Sequence, residues 1–191
     1  MPFTLTVLVL AIAVSYVRGG RLTRIADVQL RSNALLFVGL ALQLAVDLAA
    51  GRGILGDATA LGWSILLVSQ LLVVGWLVRN RQLPGVLLVA VGLALNAVVI
   101  AANGAMPVDP AAMRVLGVEH LDVPLGKHTL MTAETALPWL ADVIPLPPLR
   151  SIISVGDVVL ALGLVPLTHA LMRDPDTDER GRGRLRPARS R

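Results

Sequence analysis

The chain has 191 residues, of which 55% are hydrophobic and only 16% charged, and its mean hydropathy is +0.73. A soluble domain carries about a quarter of its residues as charges, so these totals disfavour an ordinary soluble core and favour a polytopic membrane protein. The absence of cysteine excludes disulfides and thiolate metal sites. Three histidines and 3% aromatics leave little for haem ligation or base stacking. The net charge of +4 would suit nucleic acid, but most basic residues sit at the ends of apolar runs, so no nucleic-acid partner is expected.

Pro2 to Val17 is the first apolar run. No Lys or Arg precedes it, whereas Arg18, Arg21 and Arg24 follow it, which reads as an uncleaved anchor and not a signal peptide. At 1.5 Å per residue it is about 24 Å long, short but workable with local thinning of the bilayer. Arg18 to Asn33 reads as a basic loop, with a short interfacial helix as the alternative. Ala34 to Ala50 is the second run and carries Gln43 and Asp47; Gly51 to Thr59 is a turn. Ala60 to Val78 is the third run, with Trp63 and Trp76 near its ends as interfacial anchors. After the turn Arg79 to Gly85 comes the fourth run, Val86 to Ala102, with Asn96 inside it. The fifth is Ile152 to Met172, where Pro166 predicts a kink. Residues 173–191 form an Arg-rich tail whose composition predicts disorder and contact with anionic lipid.

The segments after runs one, three and five hold 13 of the 17 basic residues. The other side holds Arg52, Arg114, Lys127 and Arg150. That alternation predicts five spans, an outside N-terminus, a cytoplasmic C-terminus and an extracytoplasmic segment 103–151. Small residues four apart, such as Ala41, Ala45 and Ala49, permit close helix packing, although the signal is weak in so Ala-rich a chain.

Within segment 103–151, Asp109-Pro110 predicts a capped helix over Pro110 to Leu116 that stops at Gly117. Lys127 to Met131 reads as extended. Thr132 predicts the cap of a second helix over Ala133 to Val143, limited by Pro138 and Pro145. On it, Leu137, Trp139, Leu140, Val143 and Ile144 would lay an apolar face on the membrane surface. A connector this long points to an ordered, functional cap.

Several words in this chain occur together: N-G-A-M-P-V (103–108), K-H-x-L-M-x-x-x-T (127–135), L-P-W-L-A-D-V-I-P-L-P-P (137–148) and S-V-G-D-V (154–158), with R-G-G-R-L (18–22) earlier. In these the chain resembles the bacterial membrane proteins catalogued as Domain of Unknown Function 5317. The resemblance covers nearly everything except the tail. It implies a multi-span bacterial membrane protein and no activity.

The predicted topology sets Asp47, Asn103 and Asp157 at one depth with Lys127, His128, Glu134 and Asp142, above Gln43, Gln70 and Asn96. That outlines a polar track opening outward. Intramembrane ionisable groups are candidates for function; for Asp157 the alternative is a carboxylate that suits the first turn of its helix, and Asp47 has a similar structural alternative. The three amides read first as hydrogen-bond glue between helices. Lys127, the one lysine, would close a latch onto Asp142 or Asp157, or bind an anion. Glu119, His120 and Asp122 have no regular metal spacing, His169 has no second buried histidine to pair around haem, and neither metal nor cofactor is expected.

The expected fold is therefore all-α and integral to the membrane: five transmembrane helices with a helical extracytoplasmic cap between spans four and five, in one membrane domain (1–172), placed in a bacterial plasma membrane. The leading functional expectation is a non-enzymatic binding or accessory component acting through its cap, with a membrane protein partner or a homo-oligomer. Transport of a small solute or ion along Asp47 and Asp157 is the first alternative. An embedded enzyme using Asp142 or Asp157 with His128 is the second.

Overall fold

A computed structural model describes residues 2–52, 60–118 and 128–173. Five long helices stand where the apolar runs predict them: α1 (Pro2–Val17), α2 (Asn33–Gly51), α3 (Ala60–Arg79), α4 (Val86–Asn103) and, after a short α5 (Pro110–Val115), α6 (Val155–Met172). Each long helix is rich in Leu, Val and Ala and lacks an interior run of charge, so nothing competes with its backbone ladder. By length and composition α4 and α6 are long and apolar enough to cross a membrane; α1 and the apolar parts of α2 and α3 are shorter.

The helices alternate in direction. Gly92 on α4 faces Gly156 on α6, and Gly85 faces Gly163, which makes that pair antiparallel. At the far end of α6, Arg21 N–H donates to the Met172 carbonyl at 2.9 Å, bringing the end of α1 to the end of α6. Asn80, just beyond α3, holds Arg31 ahead of α2, so α2 and α3 are antiparallel too. Packing runs from α1 to α6, α4, α3 and α2. One apolar core joins Leu77, Val86, Val89, Ala90 and Leu160.

Glycine decides how close α4 and α6 come. A Cβ on Gly163 would lie 2.6 Å from the Gly85 carbonyl, and one on Gly92 would lie 2.6 Å from Leu160 N. No side chain fits there, so the two backbones touch. Two pairs of glycines seven apart carry this contact: Gly85, just before α4, with Gly92 on it, and Gly156 with Gly163 on α6.

The cap departs from expectation. It is largely strand and turn, so the chain is mostly helical but not all-α. Strand β1 (Met106–Val108) pairs in parallel with β2 (His128–Leu130), and β3 (Ile144–Leu146) pairs antiparallel with β4 (Ser151–Ile153). α5 is capped as the Asp-Pro pair predicts: Ala111 N–H donates to Asp109 Oδ1 at 2.8 Å, and Gly117 ends the segment at φ +67. The predicted helix over Ala133 to Val143 does not form. Thr132 and Thr135 close a local turn, Leu137 takes a left-handed backbone at φ 53, and only Pro138–Leu140 makes one 3₁₀ turn. Pro138 in mid-segment has no N–H to give, and the Ala136 N–H is captured by Asn103, so the helical ladder is interrupted. α6 also begins at Val155, later than the predicted Ile152, because Ile152 and Ile153 are taken into β4. α6 is continuous through Pro166, and a turn of 3₁₀ helix (Leu22–Asp27) lies within the predicted basic loop.

A second apolar core roots the cap on the ends of α4 and α6. Val99, Met106, Leu140 and Ala141 are buried there, with Leu137, Val143 and Val155 packed around them. The predicted membrane-facing stripe is thus mostly turned inward; Trp139 alone among the large members stays outside, 64% exposed.

Candidate functional site

The junction between cap and helices is a closed polar ring. Ser154 precedes α6 in an S-x-x-D pattern, and its Oγ accepts from Asp157 N–H at 3.0 Å. Asp157 Oδ2 accepts in return from Ser154 N–H at 3.1 Å, completing a capping box. Asn96 on α4 locks this box from the facing helix. Its Nδ2 donates to Asp157 Oδ1 at 3.0 Å, and its Oδ1 accepts from Ser154 Oγ at 2.9 Å. Gly156 is required: a Cβ there would collide with Asn96 Oδ1. The ring satisfies its own donors and acceptors, as buried polar groups must.

Asn103 makes a second clamp. Its Nδ2 donates to the Ala136 carbonyl at 3.0 Å and to the Val99 carbonyl at 2.9 Å, while its Oδ1 accepts from Ala136 N–H at 2.9 Å. Asn80 repeats the device at the other end, accepting from Arg31 N–H at 2.8 Å and donating to the carbonyls of Arg31 and Trp76. In both, a primary amide imitates a strand partner for one distant residue.

A third group lies within the cap. Asp142 is buried beside β1: its N–H donates to the Pro107 carbonyl at 3.0 Å, and its carbonyl accepts from Asp109 N–H at 2.9 Å. His128 opens β2, and its Nδ1 stands 3.4 Å from Asp142 Oδ2. That separation is within ion-pair range, and Nδ1 has no hydrogen bond of good geometry among the described residues. Burial pushes the Asp142 carboxyl above the ordinary aspartate value; His128 pulls it back, and the charge on Asp157 pushes it up further. Exposed Glu134 differs: a side-chain hydrogen bond from Thr132 and its own backbone hold its carboxyl below the usual value. An imidazole with Nδ1 against a carboxylate presents its other nitrogen for binding or proton exchange.

Residues 27–168 match a family of unknown function, DUF5317. The chain belongs to that family. A Thermotoga maritima protein named only as uncharacterized is 37% identical over 110 residues, which is 54% of this chain and 63% of that protein. The chain thus spans less than two thirds of that relative's length. No solved structure matches.

In this DUF5317 chain the predicted polar track divides into separate groups. Asn96 and Asp157 are joined, and so are His128 and Asp142; Asn103 spends its amide on Ala136. Among the described residues no hydrogen bond links Gln43 or Gln70 to the ring, and Gln70 Oε1 is buried without a partner. Lys127, with its proposed latch, and Glu119, His120 and Asp122 lie outside the described residues, as do the Asp47 side chain and the tail from 174 onward. The described residues hold no group of three or more metal-type side chains. Sequence reasoning passed over Ser154, Asn80 and the paired glycines. The S-x-x-D pattern was the available signal for the first, and the seven-residue glycine spacing for the last; Asn80 had none.

Proposed function

We propose that this protein is a five-span bacterial plasma-membrane protein whose extracytoplasmic cap is a binding or accessory module, with His128 and Asp142 as its contact point. The carrying observation is how polar capacity is distributed. The Asn96, Ser154 and Asp157 ring is internally satisfied. Asp142 is buried with His128 as its ionisable neighbour at 3.4 Å. Capacity to take a ligand therefore lies in the cap and not at the ring.

The spanning topology rests on five alternating apolar helices, two of them of full spanning length. The orientation rests on charge. Arg18, Arg21, Arg24, Arg31, Arg79, Arg81 and Arg173 share the end away from the cap, and basic residues favour the cytoplasmic side. Transport is the second reading, favoured by one observation: Ser69 Oγ and Gln70 Oε1 are buried on α3 without partners among the described residues.

Native mass spectrometry of protein extracted gently from its own membrane tests this. The binding reading expects a small molecule or a second polypeptide at fixed ratio on the wild type, lost from Asp142→Asn. Retention in Asp142→Asn with loss in Gln70→Ala would replace it with the transport reading.

A further inference from the structure

The segment from Arg18 to Ser32 is held at both ends and yet buries almost nothing. Arg21 N–H is tied to the Met172 carbonyl at 2.9 Å, and Arg31 is clamped by Asn80 through its N–H and carbonyl. Between these anchors the 3₁₀ turn Leu22–Asp27 has no buried residue. Leu22 is 52% exposed and Ile25 37% exposed, on a turn flanked by exposed Arg21. Arg18, Arg31, Arg79 and Arg81 are exposed at the same end, brought together by the Arg31 clamp and by an Arg79 hydrogen bond to Ser32 Oγ. Asp27 is the one acidic residue between Arg18 and Gly85 among the described residues on this end.

We infer that this braced turn is a binding site for anionic phospholipid: the arginines take the headgroup phosphate, and Leu22 with Ile25 enter the boundary between headgroups and acyl chains. The inference rests on the membrane reading above. Charge complementarity selects the partner. A soluble anion would use the arginines and leave two large aliphatic side chains in water, whereas a headgroup layer accepts both at once. Arginine suits phosphate because its planar fork donates in pairs. An unbraced loop would lose conformational freedom on binding; this one has given it up already, at Met172 and Asn80.

The test uses the full chain in nanodiscs of equal phosphatidylglycerol and phosphatidylcholine, with lipids retained after release counted by native mass spectrometry. The wild type should retain phosphatidylglycerol preferentially, and Arg18→Gln with Arg21→Gln should cut that preference by about fivefold for each arginine removed. Leu22→Ser with Ile25→Ser should lower it as well, and added inorganic phosphate should leave it unchanged. An unaltered preference in both double variants would overturn the inference, as would displacement of the lipid by inorganic phosphate. Alkaline carbonate extraction separates the two readings: a wild-type protein that washes off membranes sinks the membrane reading itself, while one that resists and fails the lipid test sinks only this inference.

Discussion

Asn96 Nδ2 donates to Asp157 Oδ1 at 3.0 Å, joining the interior of α4 to the first turn of α6. The same carboxylate completes the capping box with Ser154, so one aspartate serves both a helix end and a helix pair. Its polar partners then predict its role. Ser154→Ala should lower stability by about 1–3 kcal/mol, because Asn96 Oδ1 and Asp157 N–H both lose their partner in a buried place. Asp157→Asn should cost less, since an amide keeps an oxygen for the box. Chemical denaturation of each variant in detergent checks the order; equal stability of Ser154→Ala and wild type would remove the ring from the account.

The α4–α6 contact predicts a contrast among glycines. Gly163→Ala should destabilise by about 1–3 kcal/mol, because its Cβ would meet the Gly85 carbonyl and Val89 N with no flexible side chain to yield. Gly75→Ala meets nothing within 4 Å and should be neutral or stabilise by about 0.5–1 kcal/mol through helix propensity. Thermal melts of the two variants, side by side, read this directly.

Asn103 predicts a local effect. Asn103→Ala frees both backbone groups of Ala136 while leaving the α4–α6 contact intact. Limited proteolysis should then cut near residues 132–137 faster than in wild type, while the melting temperature falls only slightly. Unchanged cutting would mean that the clamp does not hold the cap.

Asp142 predicts a pH dependence. Its native pKa lies above the ordinary 3.8, with burial as the main cause. Between the two values the folded state holds the proton more tightly, so this stabilising contribution is complete below about 3.8 and is lost as pH rises through the native value. Among the ionisable groups that act on it, His128 lowers its pKa and Asp157 raises it. The melting-temperature difference between wild type and Asp142→Asn should therefore shrink or reverse as pH rises from 4 into that window; a difference independent of pH contradicts the assignment.

The long helices were legible because each is a continuous apolar run, and α5 because Asp109-Pro110 has a local cap mechanism. The rest of the cap was not legible, for a physical reason. Many of its backbone groups are satisfied by distant residues: Ala136 by Asn103 and Asp142 by Pro107. No window of sequence contains both partners, so Thr132 read locally as the cap of a helix. Among the candidate site residues, grouping by depth set His128 in one layer with Asp142, which stand 3.4 Å apart, but set Asn96 a layer beneath Asp157, to which it is bonded. It could not see that Ser154 would close the pair of Asn96 and Asp157 and leave the other unsaturated.

Thiol accessibility in intact cells tests the central claim most directly, and the cysteine-free chain makes a clean background. Single variants Arg52→Cys, Glu134→Cys, Arg21→Cys and Arg81→Cys sample both ends of the helices. The account predicts that an impermeant maleimide labels the positions 52 and 134 from outside, and 21 and 81 only after permeabilisation. Labelling of 21 and 81 in intact cells, or of none of the four under either condition, would contradict a five-span protein with its cap outside.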